Sequence, residues 1–224
     1  DISLNIKPGE FIGIRGTDES GVASLIKLMR GEIQPVSGSI YIDGHNVNGP
    51  NFQNLAHKIS YVPARAVLFR GTLLENITMF KPGMRIDAAR EAAQLIGLEE
   101  EVNRLPEGYD TVVGDGIADK LPMGMIQRVA IARAIARQPK ILILNQANST
   151  LDMNADKKFS DGLMALRGQM TIIVVSNRPS LLKLTDRAFD MKDGQISDQA
   201  MSSPTPTLGS RATLGTTSMP KTTG

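Results

Sequence analysis

The chain has 224 residues, 41% of them apolar, with a formal charge of +2 and no cysteine. That apolar share, set in alternating strand-like and helix-like patterns, excludes a disordered chain and predicts one α/β unit able to bury a sizeable core. The small charge without a long basic run gives no electrostatic case for nucleic acid, the lack of Cys fits a reducing compartment, and no apolar stretch approaches the roughly 20 residues that span a bilayer. No signal-peptide pattern opens the chain, and Asp1 in place of Met is the expected mark of a piece of something longer. Residues 2 to 15 read as two short strands, ISLNI and FIGIR, around a Lys7-Pro8-Gly9-Glu10 turn. From Phe11 to Gly31 the pattern is an apolar run, a loop bracketed by Gly16 and Gly21, and an amphipathic segment closed by Gly31. Ser39 to Asp43 and Ile59 to Pro63 are further strand-like runs. The periodicity then changes: Ile86, Ala89, Ala93 and Ile96 recur at helical spacing, and Pro122 opens a second helix through about Arg137. Lys140 to Leu144 and Met170 to Val175 have the β-branched and leucine-rich character of buried parallel strands. From Ala200 to Gly224 the composition falls to Ser, Thr, Pro and Gly, which predicts a disordered tail.

Strand, glycine loop and helix together present backbone N–H groups and the positive end of a helix dipole to a phosphate chain. The phosphate-binding pattern G-x-x-x-x-G-K-[ST] fits the frame of Gly16 and Gly21 but places the lysine on Val22 and the magnesium-binding hydroxyl on Ala23. Taken alone, this match is outweighed by a turn with a helix cap at Ser20. The blocks that follow change that balance. KPGEFIGIRG, SGSIYIDG, YVPARAVLFRGTLLENI, LPEGYDTVVGDG, QRVAIARAIARQPKILIL, NSTLD and MKDGQI occur in the order and spacing of one family. Over residues 1 to 197 the chain resembles the nucleotide-binding domain of ABC transporters, of the exporter type.

The resemblance implies an α/β fold, a RecA-like P-loop NTPase core with an inserted helical subdomain. The core is expected from residues 1–75 and 135–197, the helical subdomain from 76–134, and the tail from 198–224. It also implies ATP and magnesium as cofactors, a membrane-spanning domain and a second nucleotide-binding domain as partners, and a place at the cytoplasmic face of the membrane. Carried over residue by residue, however, the chemical groups are replaced. Gly16, Gly21 and Ser24 of the phosphate loop remain, while Val22 and Ala23 replace lysine and serine. The loop also carries Asp18 and Glu19. A carboxylate about 5 Å from a phosphate charge costs on the order of 3 kcal/mol at an effective dielectric near 20, so two of them remove ordinary affinity unless they point into water. Arg15 and Lys27 are the nearby cations, and neither occupies the lysine's place on the first helical turn.

Asn145 stands where the family has the Asp that holds magnesium-bound water, and Gln146 where it has the general base. Each is the amide of the expected acid, similar in shape but unable to accept a proton near neutral pH. The switch histidine is Asn177 and the glutamine after Val62-Pro63 is Ala64. The signature segment, LSGGQ in the family, is Leu121-Pro122-Met123-Gly124-Met125. Pro122 has no N–H to offer a phosphate, although it favours a helix start. Gln127, Arg128, Ala130, Ala132, Arg133 and Ala134 follow the family pattern, as do Ser149, Thr150, Leu151 and Asp152 of the loop that touches the partner domain. Ala66 to Arg70 keep the apolar character of the groove that receives a membrane-domain helix, with Leu68 and Phe69 equally readable as core residues. The expectation is a non-hydrolysing half of an exporter with weak or absent MgATP binding. A weakly active ATPase subunit and a soluble, nucleotide-independent interaction module are the alternatives.

Overall fold

The computed structural model describes residues 2–50, 52–81, 86–114 and 121–198. In chain order the strands are β1 (Phe11–Arg15), β2 (Tyr41–Ile42), β3 (His45–Asn46), β4 (Ile59–Val62), β5 (Gly71–Thr72), β6 (Val112–Val113), β7 (Ile141–Asn145), β8 (Thr171–Val175), β9 (Arg187–Lys192) and β10 (Gln195–Asp198). The helices are α1 (Val22–Met29), α2 (Gln53–Ala56), α3 (Leu73–Thr78), α4 (Ile86–Leu95), α5 (Glu99–Val102), α6 (Met123–Ala136), α7 (Met153–Leu166) and α8 (Pro179–Leu182).

Six strands form one sheet in the order β10-β9-β1-β8-β7-β4, parallel throughout except for the β9–β10 hairpin. The reason lies in the strand sequences. β8, TIIVV, is buried at every position, and β1 at its first four, the mark of strands covered on both faces. Because side chains alternate across a strand, Ile172 and Val174 join one hydrophobic cluster with Phe11, Leu142 and Leu144, and Ile173 and Val175 join the other with Ile12, Ile14 and Ile143. Leu25, Ile26 and Met29 of α1 cover the second cluster, while α3, α4, α6 and α7 close over the first. The chain is thus an α/β fold with a parallel sheet core.

Most of α6 is buried around its circumference, including the polar Gln127 and Arg128, so it is a core helix rather than an amphipathic cover. Arg128 is fixed there by Glu101 at 2.5 Å and by the Gly97 carbonyl at 2.9 Å. A Thr72–Glu75 capping box starts α3, and the Asp152 carboxylate accepts the Ala155 N–H at 2.8 Å to start α7. Where α4 and α7 cross, Gly162 allows contact that no side chain would permit: a Cβ there would lie 2.4 Å from the Leu95 carbonyl oxygen. Gly162→Ala is expected to force the two helices apart at a cost of about 2 kcal/mol, read as a lower denaturant midpoint with an unchanged slope.

Three expectations need correction. ISLNI is not a strand: Ile2, Leu4 and Ile6 pack on the second cluster in alternation, but their backbone joins no ladder, and that flank of the sheet is completed by β9 and β10. Ser39 to Asp43 contracts to Tyr41–Ile42, paired only with β3. Asp198, expected in the tail, is the last residue of β10. The rest of the expected tail lies outside the described residues. Among those residues no helix is long and apolar enough to cross a membrane.

Candidate functional site at the carboxyl edge of the sheet

Strand register brings three of the singled-out segments to one edge. Ile14 pairs with Val175, and Val175 with Asn145, so the ends of β1, β8 and β7 lie in line. The Ser176 N–H donates to the Ile14 carbonyl at 3.1 Å and the Gln146 N–H to that of Val175 at 2.8 Å. The Gly16 loop, Asn177 and the Asn145-Gln146 pair therefore leave the sheet side by side, where ligands of open α/β sheets bind.

The loop itself is closely packed. A Cβ at Gly16 would lie 2.5 Å from the Ser20 hydroxyl and 2.7 Å from a Val22 methyl, so only glycine fits. Gly21, at φ +95°, is the N-cap of α1 and does the work the sequence offered to Ser20. Ser20 instead turns inward: its hydroxyl donates to the Thr17 carbonyl at 2.7 Å, and its carbonyl accepts the Gly194 N–H at 3.0 Å. Val22 is 3% exposed and belongs to the second hydrophobic cluster, whereas Ala23, Ser24 and Glu19 are exposed. Neither nearby cation takes the lysine's place. Arg15 forms a two-pronged ion pair with Asp190 of β9, at 2.6 and 2.7 Å, which raises its pKa further, and Lys27 lies in the last turn of α1.

At the end of β7, the Asn145 amide reaches the Tyr61 hydroxyl at 3.5 Å, and the Arg30 guanidinium lies over the Tyr61 ring at 4.2 Å. Gln146 holds a left-handed backbone, φ +47°. Behind it runs a polar network that sequence reasoning missed. Asn148 donates to Asp156 at 2.8 Å and accepts from Ser176 at 3.3 Å, while Arg178 donates to the carbonyls of Ser149 and Leu151 and pairs with Asp156 at 3.3 Å. The available signal was an Arg directly after Asn177, one strand away from the loop it holds. Asn177 itself is exposed.

The signature segment keeps different company. Pro122 caps α6, and its carbonyl accepts the N–H groups of Met125 and Ile126. Met125 is buried, Leu121 half-buried and Met123 50% exposed. A Cβ at Gly124 would lie 3.2 Å from the Thr150 carbonyl, so the start of α6 packs on the loop that precedes Asp152. Ala64 is half-buried in a segment tied to α6 by Gln127, whose amide nitrogen donates to the Pro63 carbonyl at 2.8 Å and whose amide oxygen accepts the Ala66 N–H at 3.1 Å. Of the Leu68 and Phe69 pair, Leu68 is core and Phe69 is 47% exposed.

Comparison with known proteins agrees with this layout. Residues 1–149 match the family model described as ABC transporter. The chain is 37% identical over 199 residues to the alpha-hemolysin translocation ATP-binding protein HlyB of Proteus vulgaris, and 36% identical over the same length to the leukotoxin translocation ATP-binding protein LktB of Mannheimia glucosida. Each alignment covers 89% of this chain and 28% of the relative, so the chain spans little more than a quarter of their length. A solved structure of a bacterial Atm1-family ABC exporter with ATP bound superposes with a TM-score of 0.79 at 30% identity, over 84% of this chain and 33% of that one. A glycine loop, two strand ends and a signature helix, set on a parallel sheet and matched along most of their length, make this chain a member of the ABC transporter family, as an exporter-type nucleotide-binding domain.

Proposed function

We propose that the chain is a nucleotide-binding domain of an ABC exporter that does not hydrolyse ATP and serves as a structural or regulatory half. On this reading it sits at the cytoplasmic face of a membrane, against a membrane-spanning domain and a second nucleotide-binding domain. The carrying observation is Val22. The position that the resemblance gives to a phosphate-binding lysine holds an apolar side chain buried in the core beneath a loop with two carboxylates. The magnesium ligands do not fit either: Ala23 has no side-chain oxygen, Asn145 offers a neutral amide, and among the described residues no three acidic or histidine side chains cluster. The same reading divides the chain into a core of 1–75 and 135–197 and a helical subdomain of 76–134. The sheet supports it, since β1 and β4 precede α3, α4, α5 and α6 while β7 to β10 follow α6's start.

A titration with labelled ATP and magnesium tests the proposal. No saturation at millimolar nucleotide is expected from the unmodified chain, and a dissociation constant in the micromolar range together with phosphate release above a no-enzyme blank would overturn the proposal in favour of a weakly working ATPase.

A further inference from the structure

A closed ring of polar contacts lies behind the loop from Ser149 to Asp152. The Asn148 amide nitrogen donates to one oxygen of Asp156 at 2.8 Å, and Arg178 pairs with the other at 3.3 Å. The Arg178 N–H donates to the Ser176 hydroxyl at 3.1 Å, and that hydroxyl donates to the Asn148 amide oxygen at 3.3 Å, which closes the circuit. Asn148 and Ser176 are each 2% exposed, so these bonds are shielded from competing solvent. From the ring, the Arg178 guanidinium reaches out to the Ser149 and Leu151 carbonyls at 3.3 and 3.2 Å. Two carbonyls of the loop are thus held inward by this chain's own side chains, while Ser149 and Thr150 stay exposed.

Two large apolar side chains flank that loop. Met153, the residue after it, is 88% exposed, and Met123 is 50% exposed. They share one patch because the start of α6 packs on the loop: a Cβ at Gly124 would lie 3.2 Å from the Thr150 carbonyl oxygen and 3.6 Å from the Leu151 side chain. Burying a methionine is favourable, and its flexible thioether adapts to whatever surface it meets. Ser149 and Thr150 are uncharged, and the Asp152 carboxylate is engaged by the Ala155 N–H at 2.8 Å. A copy of the same patch therefore meets it with little like-charge repulsion, as a two-fold contact requires.

We propose that this face joins two copies of the chain with no nucleotide between them. The inference rests on the reading of the loop as the contact with a second nucleotide-binding domain, and it adds what holds that contact together. Apolar side chains and a loop fixed in advance by the Arg178 ring stand in place of a phosphate chain shared by two domains.

Sedimentation of the unmodified chain over a concentration series, without nucleotide and with MgATP, tests it. A reversible dimer is expected, with a dissociation constant that MgATP changes by less than about twofold. Met153→Asp and Met123→Asp are each expected to raise that constant about tenfold without lowering the melting temperature, because both side chains are exposed. Arg178→Ala is expected to raise it by a similar factor and to speed amide hydrogen exchange in residues 149–152 while leaving β1 and β8 protected. Should Arg178→Ala fail to fold, Arg178→Lys, which keeps the charge but loses the fork, is expected to act in the same direction. Unchanged loop exchange in both Arg178 variants overturns the inference. A dimer that forms only with MgATP, or a chain that pairs only with a hydrolysis-competent domain, also overturns it and leaves the partner reading standing. A dimer untouched by both methionine changes, or a chain that pairs with nothing, overturns both.

Discussion

Glutamate restored at position 146 is expected to leave ATP hydrolysis at the level of a no-enzyme blank. A general base alone supplies roughly 10² to 10⁴ in rate, but it can act only on a water held against a bound phosphate. Gln146→Glu restores a proton acceptor beside a loop that has none of the rest. Val22 is packed under the loop, Ala23 has no side-chain oxygen, Asn145 offers only a neutral amide, and Asn177 has no titrating ring. Val22→Lys and Ala23→Ser alone, with Gln146 kept, are expected to raise nucleotide affinity without turnover. That pair of changes also removes Val22 from the second cluster, on the order of 1.5 kcal/mol of apolar burial, so thermal melting must accompany the binding curve. Phosphate release by the unmodified chain, abolished by a further change at Gln146, would sink this account.

Mixed with a hydrolysis-competent nucleotide-binding domain, the chain is expected to leave steady-state ATPase activity at or below the partner's own level. On the family's plan each composite site joins one domain's phosphate loop to the other's signature segment, and on the proposed reading this chain weakens both contributions. Its loop offers Val22 and Ala23 to a good signature. Its own signature offers Pro122, with no N–H, and Met123, a long thioether half-exposed at the start of α6. The expected products are an unproductive heterodimer or no dimer, distinguished by light scattering. Restoring the loop should change nucleotide affinity and restoring the signature should matter only when the partner supplies the nucleotide. Clear stimulation of the partner by the unmodified chain is the contrary result.

The buried strands and the helices α4 and α6 were legible because their signals are local, whereas α7, as long as α6, was not anticipated. Ile141 to Leu144 and Ile172 to Val175 are apolar throughout, and Pro122 marks a helix start at short range. The strand order was not legible: β8 lies between β1 and β7 although it follows both in sequence, and no local pattern encodes that insertion. ISLNI shows the reverse failure. Its alternation correctly reports which side chains face the core, yet alternation says nothing about whether a neighbouring backbone is free to pair. Val22, Ala23, Asn145, Gln146 and Asn177 could be picked out because the resemblance gives their positions to the family's chemical groups. What holds their neighbours could not: Arg178 grips the Ser149 and Leu151 carbonyls from 29 and 27 residues away, and Arg15 is occupied by Asp190 across 175.

Gln127 joins the segment bearing Ala64 to the helix that begins at the signature, through two bonds in which a carboxamide meets a backbone carbonyl and a backbone N–H. Neither bond contains a titrating group, and Gln127 is 1% exposed. Acid, base and salt that loosen the exposed Arg15–Asp190 and Lys158–Glu100 pairs therefore leave this tie in place. The segment from Pro63 to Ala66 is thus held to the first turns of α6 by contacts whose strength does not change with pH.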